Sequence, residues 1–216
     1  MTERTEQLPH PALARRNAKT SPRRVAMRHK HLVIWQEYSW SEVYRDIESL
    51  AAWLINHGCA PGDSIAISGH NEPELFVAEH AVLAAGAVAV CLFPELEQSE
   101  IQHIVAETRP RVLIAEDQEQ CDKFLAVIDD TTIELIVYWD PRGLTGYRDP
   151  RLVDMASCLA SGRERLAHQP NLVDDRIDRI GLDDVATIVY TSGTTASPKG
   201  VQGSYRYLLD CAMRWD

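Results

Sequence analysis

Ser64-Ile65-Ala66-Ile67-Ser68 and, one helix-length further on, Ala87-Val88-Ala89-Val90-Cys91-Leu92-Phe93 are short and almost wholly apolar. Side chains leave alternate faces of a strand, so continuous apolar runs need cover on both faces. Parallel sheets flanked by helices provide it. The interval between the two runs suits a helix, with Pro73 fitted to its first turn and apolar residues continuing to Gly86. The alternation persists downstream. Ser99–Thr108 predicts a helix, Arg111–Ala115 a strand, Gln118–Ile128 a helix and Ile133–Tyr138 a strand. The fold class is α/β, a mostly parallel sheet layered between helices.

Upstream, Ser39 followed three residues later by Glu42 has the form of a capping box. Trp40, Val43, Tyr44, Ile47, Leu50, Ala51, Leu54 and Ile55 then recur at helical spacing and make one apolar face. Gly58 ends this helix, and Pro61-Gly62-Asp63 turns the chain. Val25–Met27 and Leu32–Trp35 predict two short strands about a charged turn at Arg28–His31. Residues 1–23 read as a polar lead-in to a domain over 24–216. Asp140–Asp183 is irregular, with room for one or two short helices along the surface.

Composition narrows the function. The 216 residues carry 22 Lys plus Arg against 32 Asp plus Glu, a net charge of −10. That balance disfavours nucleic acid, whose phosphates such a surface repels, but leaves room for a local cationic pocket. The longest apolar run, Ala81 to Phe93, is shorter than the ~18 residues of a spanning helix. No secretory signal is evident, and Cys59, Cys91, Cys121, Cys158 and Cys211 are scattered with no CxxC pair. A cytoplasmic protein with buried, unpaired cysteines is expected.

One stretch carries chemistry. From Val185 the sequence runs Val-Ala-Thr-Ile-Val-Tyr-Thr-Ser-Gly-Thr-Thr-Ala-Ser-Pro-Lys-Gly-Val to Val201. A β-branched strand runs straight into hydroxyl and glycine residues, with a lysine close behind. Hydroxyls and free backbone N–H groups can donate to anionic oxygens, Gly193 permits close backbone approach, and Lys199 adds a mobile positive charge. This is not the Walker arrangement, because Pro198 stands where glycine is needed and Gly200 where Ser or Thr is needed. No GxGxxG follows the early strands, which disfavours a dinucleotide-binding oxidoreductase. By composition alone, a Ser/Thr/Gly-rich surface turn ending in lysine fits equally well.

The order of residues 190–201 resembles the signature loop of the adenylate-forming (AMP-binding) superfamily, which includes acyl-CoA synthetases, peptide-synthetase adenylation domains and luciferases. Only Ala196 departs from the usual Tyr-Thr-Ser-Gly-Thr-Thr-Gly-x-Pro-Lys-Gly-Val, standing where glycine is usual. The resemblance extends upstream through Tyr38–Val43, Gly62–Ile67 and Phe93-Pro94. Val112–Lys123 and Tyr138–Leu144 look closest to the long-chain acyl-CoA synthetases. The resemblance implies ligase chemistry in two steps. A carboxylate, here a fatty acid, attacks the α-phosphate of ATP to give acyl-adenylate and pyrophosphate, and CoA then takes the acyl group. It further implies that Thr191, Ser192, Gly193, Thr194 and Thr195 hold the β- and γ-phosphates, that Thr191 lies near Mg²⁺, and that Lys199 neutralises the triphosphate.

If the usual glycine marks a positive φ, Ala196 carries a strain of roughly 1–2 kcal/mol. The family's adenine and ribose contacts, acidic magnesium ligand and mobile domain with its catalytic lysine fall beyond Asp216. The chain therefore reads as an N-terminal portion, inactive alone, with no catalytic residue identifiable and a separate C-terminal portion or self-association as partners. The alternative is a non-catalytic nucleotide- or protein-binding α/β fragment. Asp174, Asp175, Asp178, Asp183 and Asp184 read as a solvated charge run, and Trp35, Trp40 and Trp53 as packing residues.

Overall fold

The structure, a computed structural model, describes residues 7–191 and 198–213. Its centre is a seven-stranded sheet built from β3 (Ser64–Ser68), β4 (Val88–Leu92), β5 (Val112–Ala115), β6 (Leu135–Tyr138), β7 (Leu152–Asp154), β8 (Val185–Thr191) and β9 (Lys199–Ser204). The spatial order is β7-β6-β5-β3-β4-β8-β9, parallel throughout except for antiparallel β9. Both faces are covered over the central strands β4, β3, β5 and β6, as their apolar runs require, whereas Val189 and Val201 on β8 and β9 are exposed. On one face lie α2 (Trp40–Asn56), α3 (Pro73–Ala84), α6 (Met155–His168) and α7 (Leu172–Ile177), with Ile47, Leu50, Leu54, Leu83 and Val173 in the core. On the other, α4 (Gln98–Thr108) and α5 (Gln118–Leu125) bury Ile101, Ile104, Cys121 and Phe124. A 3₁₀ turn, Ile128–Asp130, follows α5, and α8 (Tyr205–Met213) follows β9.

The capping box forms as expected. The Glu42 N–H donates to Ser39 Oγ at 3.4 Å, and the Ser39 N–H donates to Glu42 Oε2 at 2.9 Å. Other expectations are corrected. The lead-in contains a helix, α1 (His10–Thr20), with Pro11, Ala12 and Ala14 buried. Arg15 pairs with Asp174 at 3.1 Å and with Asp178, while Lys19 reaches Asp174 at 3.2 Å. Two members of the acidic run therefore dock a helix instead of facing solvent alone. The expected boundary at residue 24 falls between α1 and β1 (Val25–His31).

Arg28–His31 is not a turn. These residues continue β1, which pairs with β2 (Ile34–Ser39), and the reversal falls at Leu32-Val33. Trp35 is exposed at this hairpin, whereas Trp53 is buried. Asp140–Asp183 holds the edge strand β7 and the full-length helix α6, capped by the Asp154 carboxylate, which accepts from the Ser157 N–H at 3.1 Å.

Candidate functional site at the end of the parallel sheet

In open α/β sheets, ligand sites form beyond the carboxyl ends of strands where neighbouring connections depart in opposite directions. Here that condition is met between β4 and β8, since β4 leads back over β3 to β5 while β8 leads outward to β9. The signature stretch leaves the sheet at this point. Thr191 is the last residue of β8, Lys199 the first of β9, and the two are direct partners in the antiparallel register, with Tyr190 opposite Gly200. Both Thr191 and Lys199 are exposed. The remaining expected phosphate contacts, Ser192, Gly193, Thr194 and Thr195, lie outside the described residues, as does Ala196 with its expected φ.

Two side chains of α4 hold the arms of this connection. The buried Tyr190 donates its hydroxyl proton to Glu107 Oε2 at 2.7 Å. Burial first, and that acidic neighbour second, push the phenol pKa up, so it remains a donor. One turn earlier, His103 Nε2 lies 3.2 Å from the carbonyl oxygen of Pro198. A carbonyl can only accept, so this contact sets the proton on Nε2. Gly200 completes the fit, because a Cβ there would sit 3.0 Å from Tyr190 Cζ and 3.1 Å from Ile188 Cγ2.

Beside these arms opens a cleft of about 300 Å³ lined by Cys91, Leu92, Phe93, Glu95, Glu100 and Tyr190, among others. Its walls are apolar and acidic, with no Lys, Arg or His among the lining residues, and burial pushes the Cys91 thiol up to about 12, so it stays neutral. The Phe93-Pro94 turn at the rim is fixed from α5. Gln120 Nε2 and Lys123 Nζ both donate to the Pro94 carbonyl, at 3.3 and 2.5 Å, and Ser68 Oγ donates to Gln120 Oε1 at 2.9 Å. His103, Glu107 and Gln120 were not among the expected site residues. Their partners are distant in sequence, and no local signal marks them.

Among the described residues, no group of three or more His, Cys, Asp or Glu is placed to hold a metal. Thr191 offers one neutral oxygen, which suits a magnesium ion only when phosphate oxygens and water fill the other positions. Asp183 pairs with Arg206 at 2.7 Å, and Asp184 accepts from the Gly181 N–H at 2.7 Å, so these acids are structural.

A mostly parallel sheet flanked by helices, with a hydroxyl-rich sequence joining β8 to β9 at its carboxyl end, sets the class. The chain belongs to the AMP-binding enzyme family, whose model matches residues 14–216. It is 28 % identical over 202 residues to a long-chain-fatty-acid–CoA ligase of Rattus norvegicus, covering 91 % of this chain and 27 % of that one. It is 31 % identical over 156 residues to fatty acyl-CoA synthetase A of Dictyostelium discoideum, covering 71 % of this chain and 22 % of that one. The chain thus spans about a quarter of the length of these curated relatives. Its fold is shared with the luciferase-like enzyme of the mealworm Zophobas morio, at a TM-score of 0.79 and 18 % identity over 99 % of this chain and 46 % of that one. Acetoacetyl-CoA synthetase of Streptomyces lividans gives 0.76 and 22 %, over 92 % of this chain and 30 % of that one. No helix among the described residues is long and apolar enough to cross a membrane.

Proposed function

We propose that the chain supplies the triphosphate-binding side of an acyl-activating ligase. The reaction joins a carboxylate, in our reading a fatty acid, to AMP with release of pyrophosphate, and then passes the acyl group to CoA. The observation that carries this reading is the register that sets Thr191 opposite Lys199 at the carboxyl end of the sheet. Residues 192–197, rich in hydroxyl groups and including Gly193, join those two positions. Attack on the α-phosphate builds charge on the departing pyrophosphate, and a fixed set of donors plus one ammonium neutralises it. In this reading Thr191, Ser192, Gly193, Thr194 and Thr195 donate to the β- and γ-phosphates, and Lys199 faces them as a point charge. Magnesium, when bound with the nucleotide, supplies further charge neutralisation, and Thr191 offers it one oxygen.

The test is ATP binding by residues 1–216, followed by equilibrium dialysis. Lys199→Ala removes a charge-assisted contact and should weaken binding about 10- to 100-fold, the equivalent of roughly 1.5–3 kcal/mol. Equal affinity in the variant would remove the loop from the triphosphate. Turnover requires the carboxylate, triphosphate and acceptor to be held in line from several sides. We therefore expect no fatty-acid-dependent exchange of labelled pyrophosphate into ATP by residues 1–216. Exchange above a Lys199→Ala control would show a complete adenylation site in this chain.

A further inference from the structure

Among the described residues, the three most exposed large apolar side chains are contiguous, and a fourth adjoins them. Leu32, Val33, Ile34 and Trp35 are 79, 84, 68 and 62 % exposed and form the tip of the β1–β2 hairpin. The hairpin is a sheet of its own, separate from the seven-stranded one. Its base is anchored, since Ala26, Met27 and Tyr38 pack against the core beneath α2, while its tip is not. Isolated exposed leucines are ordinary, but four adjoining apolar side chains on a projecting turn mark a contact surface.

The backbone strengthens the point. Leu32 and Val33 have φ of 44° and 66°, the left-handed values of a two-residue hairpin turn. That geometry is easiest for Asn-Gly, and a β-branched valine is among the residues least suited to it. Strain of this kind tends to be kept where the side chains serve a function. Charge identifies the partner. The chain as a whole carries −10, yet residues 23–37 hold Arg23, Arg24, Arg28 and Lys30 against the single acid Glu37. All four cations are exposed. Lys30 lies directly across the hairpin from Trp35, and Arg28 across from Glu37, to which its Nε donates at 2.7 Å. Lys30 and Arg28 thus form a basic collar just behind the apolar tip, while Arg23 and Arg24 precede β1 at the base of the hairpin.

We infer that this hairpin docks the protein on an anionic lipid surface. Leu32–Trp35 enter the boundary between headgroups and acyl chains, Trp35 takes the interfacial position that suits an indole, and the collar lies over lipid phosphates. A second copy of the chain is the poorer occupant, because the same collar would face itself and two convex tips bury little area. The rest of the chain carries a net charge of about −13, which such a bilayer repels on average and which favours approach by the hairpin end. The inference rests on the hairpin's residues and not on the ligase reading.

The test is flotation of residues 1–216 with vesicles of phosphatidylcholine alone and of phosphatidylcholine mixed with phosphatidylglycerol. Binding is expected on the mixed vesicles, falling at high salt, and weak on the neutral ones. Leu32→Asn/Val33→Gly installs the residues that the turn favours while deleting the apolar tip, so the fold is retained. It should lower partition by about tenfold or more. Lys30→Glu should lower it on the anionic vesicles selectively. The proposal is overturned if the wild-type chain fails to float with anionic vesicles or if the turn variant floats equally well. Sedimentation showing a dimer that the turn variant abolishes, with no vesicle binding, would assign the tip to self-association instead. Nucleotide is absent from every arm, so the outcome is independent of ATP binding.

Discussion

Gly200 has little room for a side chain, and the reason lies in how Tyr190 is held. A Cβ at this position would press on the Tyr190 ring at 3.0 Å and on Ile188 Cγ2 at 3.1 Å. The ring cannot swing away without breaking the hydroxyl's hydrogen bond to Glu107 and leaving its buried site. Gly200→Ala is therefore expected to destabilise by about 1–3 kcal/mol, read from the urea midpoint, and to weaken ATP binding by displacing the start of β9. Tyr190→Phe keeps the ring and loses the bond. Glu107 is more than half exposed, so water replaces much of what is lost and the expected cost is about 1 kcal/mol. A double-mutant cycle with Glu107→Ala should return that same coupling. A coupling of zero would mean that α4 does not hold this arm.

At the scale of elements, the closest helix contact explains a second glycine. Gly162 of α6 is packed so tightly on α2 that a Cβ would overlap the Ser49 carbonyl oxygen. Backbone cannot yield as a side-chain tip can, so Gly162→Ala should cost about 3 kcal/mol by forcing the helices apart. The same change at the exposed neighbour Ser161 should be near neutral in a thermal melt. The contrast also shows what was legible in the sequence. Continuous apolar strands and the Ser39–Glu42 cap each carry a local signal, and each lies where it is expected. Helix α1 carries little, since its buried residues are Pro11, Ala12 and Ala14 and its docking depends on ion pairs to the distant Asp174 and Asp178. The hairpin reversal at Leu32-Val33 breaks the usual turn chemistry, which is why the more polar Arg28–His31 stood out as the turn. At the sheet's carboxyl end, the pairing of Thr191 with Lys199 and the contacts of His103 and Glu107 arise only through the fold.

At the scale of the whole molecule, acid sensitivity follows from a histidine that the fold keeps neutral. His80 lies on α3, its ring stacked on Phe76 at 3.8 Å between centroids, with Nδ1 3.0 Å from the Phe76 carbonyl oxygen. Burial is the main cause that lowers its pKa to about 4, with His10 of α1 adding a small repulsion, and the carbonyl bond opposes both. His10 is itself lowered by burial. In the unfolded chain, a histidine takes up its proton near 6.5, so between that pH and about 4 the unfolded state binds more protons than the folded one. Stability from His80 is therefore fully present above about 6.5, falls as pH drops through the window, and is exhausted near 4. The spacing of the two pKa values corresponds to about 3 kcal/mol. His80→Phe preserves the ring stack and cannot titrate. Urea unfolding at pH 7 and at pH 4.5 should show the wild type losing more stability than the variant, by roughly 2–3 kcal/mol. Titration of carboxylates, including Glu79 on the same helix, is common to both proteins and cancels in the difference. Equal losses would mean that His80 is protonated in the folded chain, and that the α1–α3 contact does not depend on its neutrality.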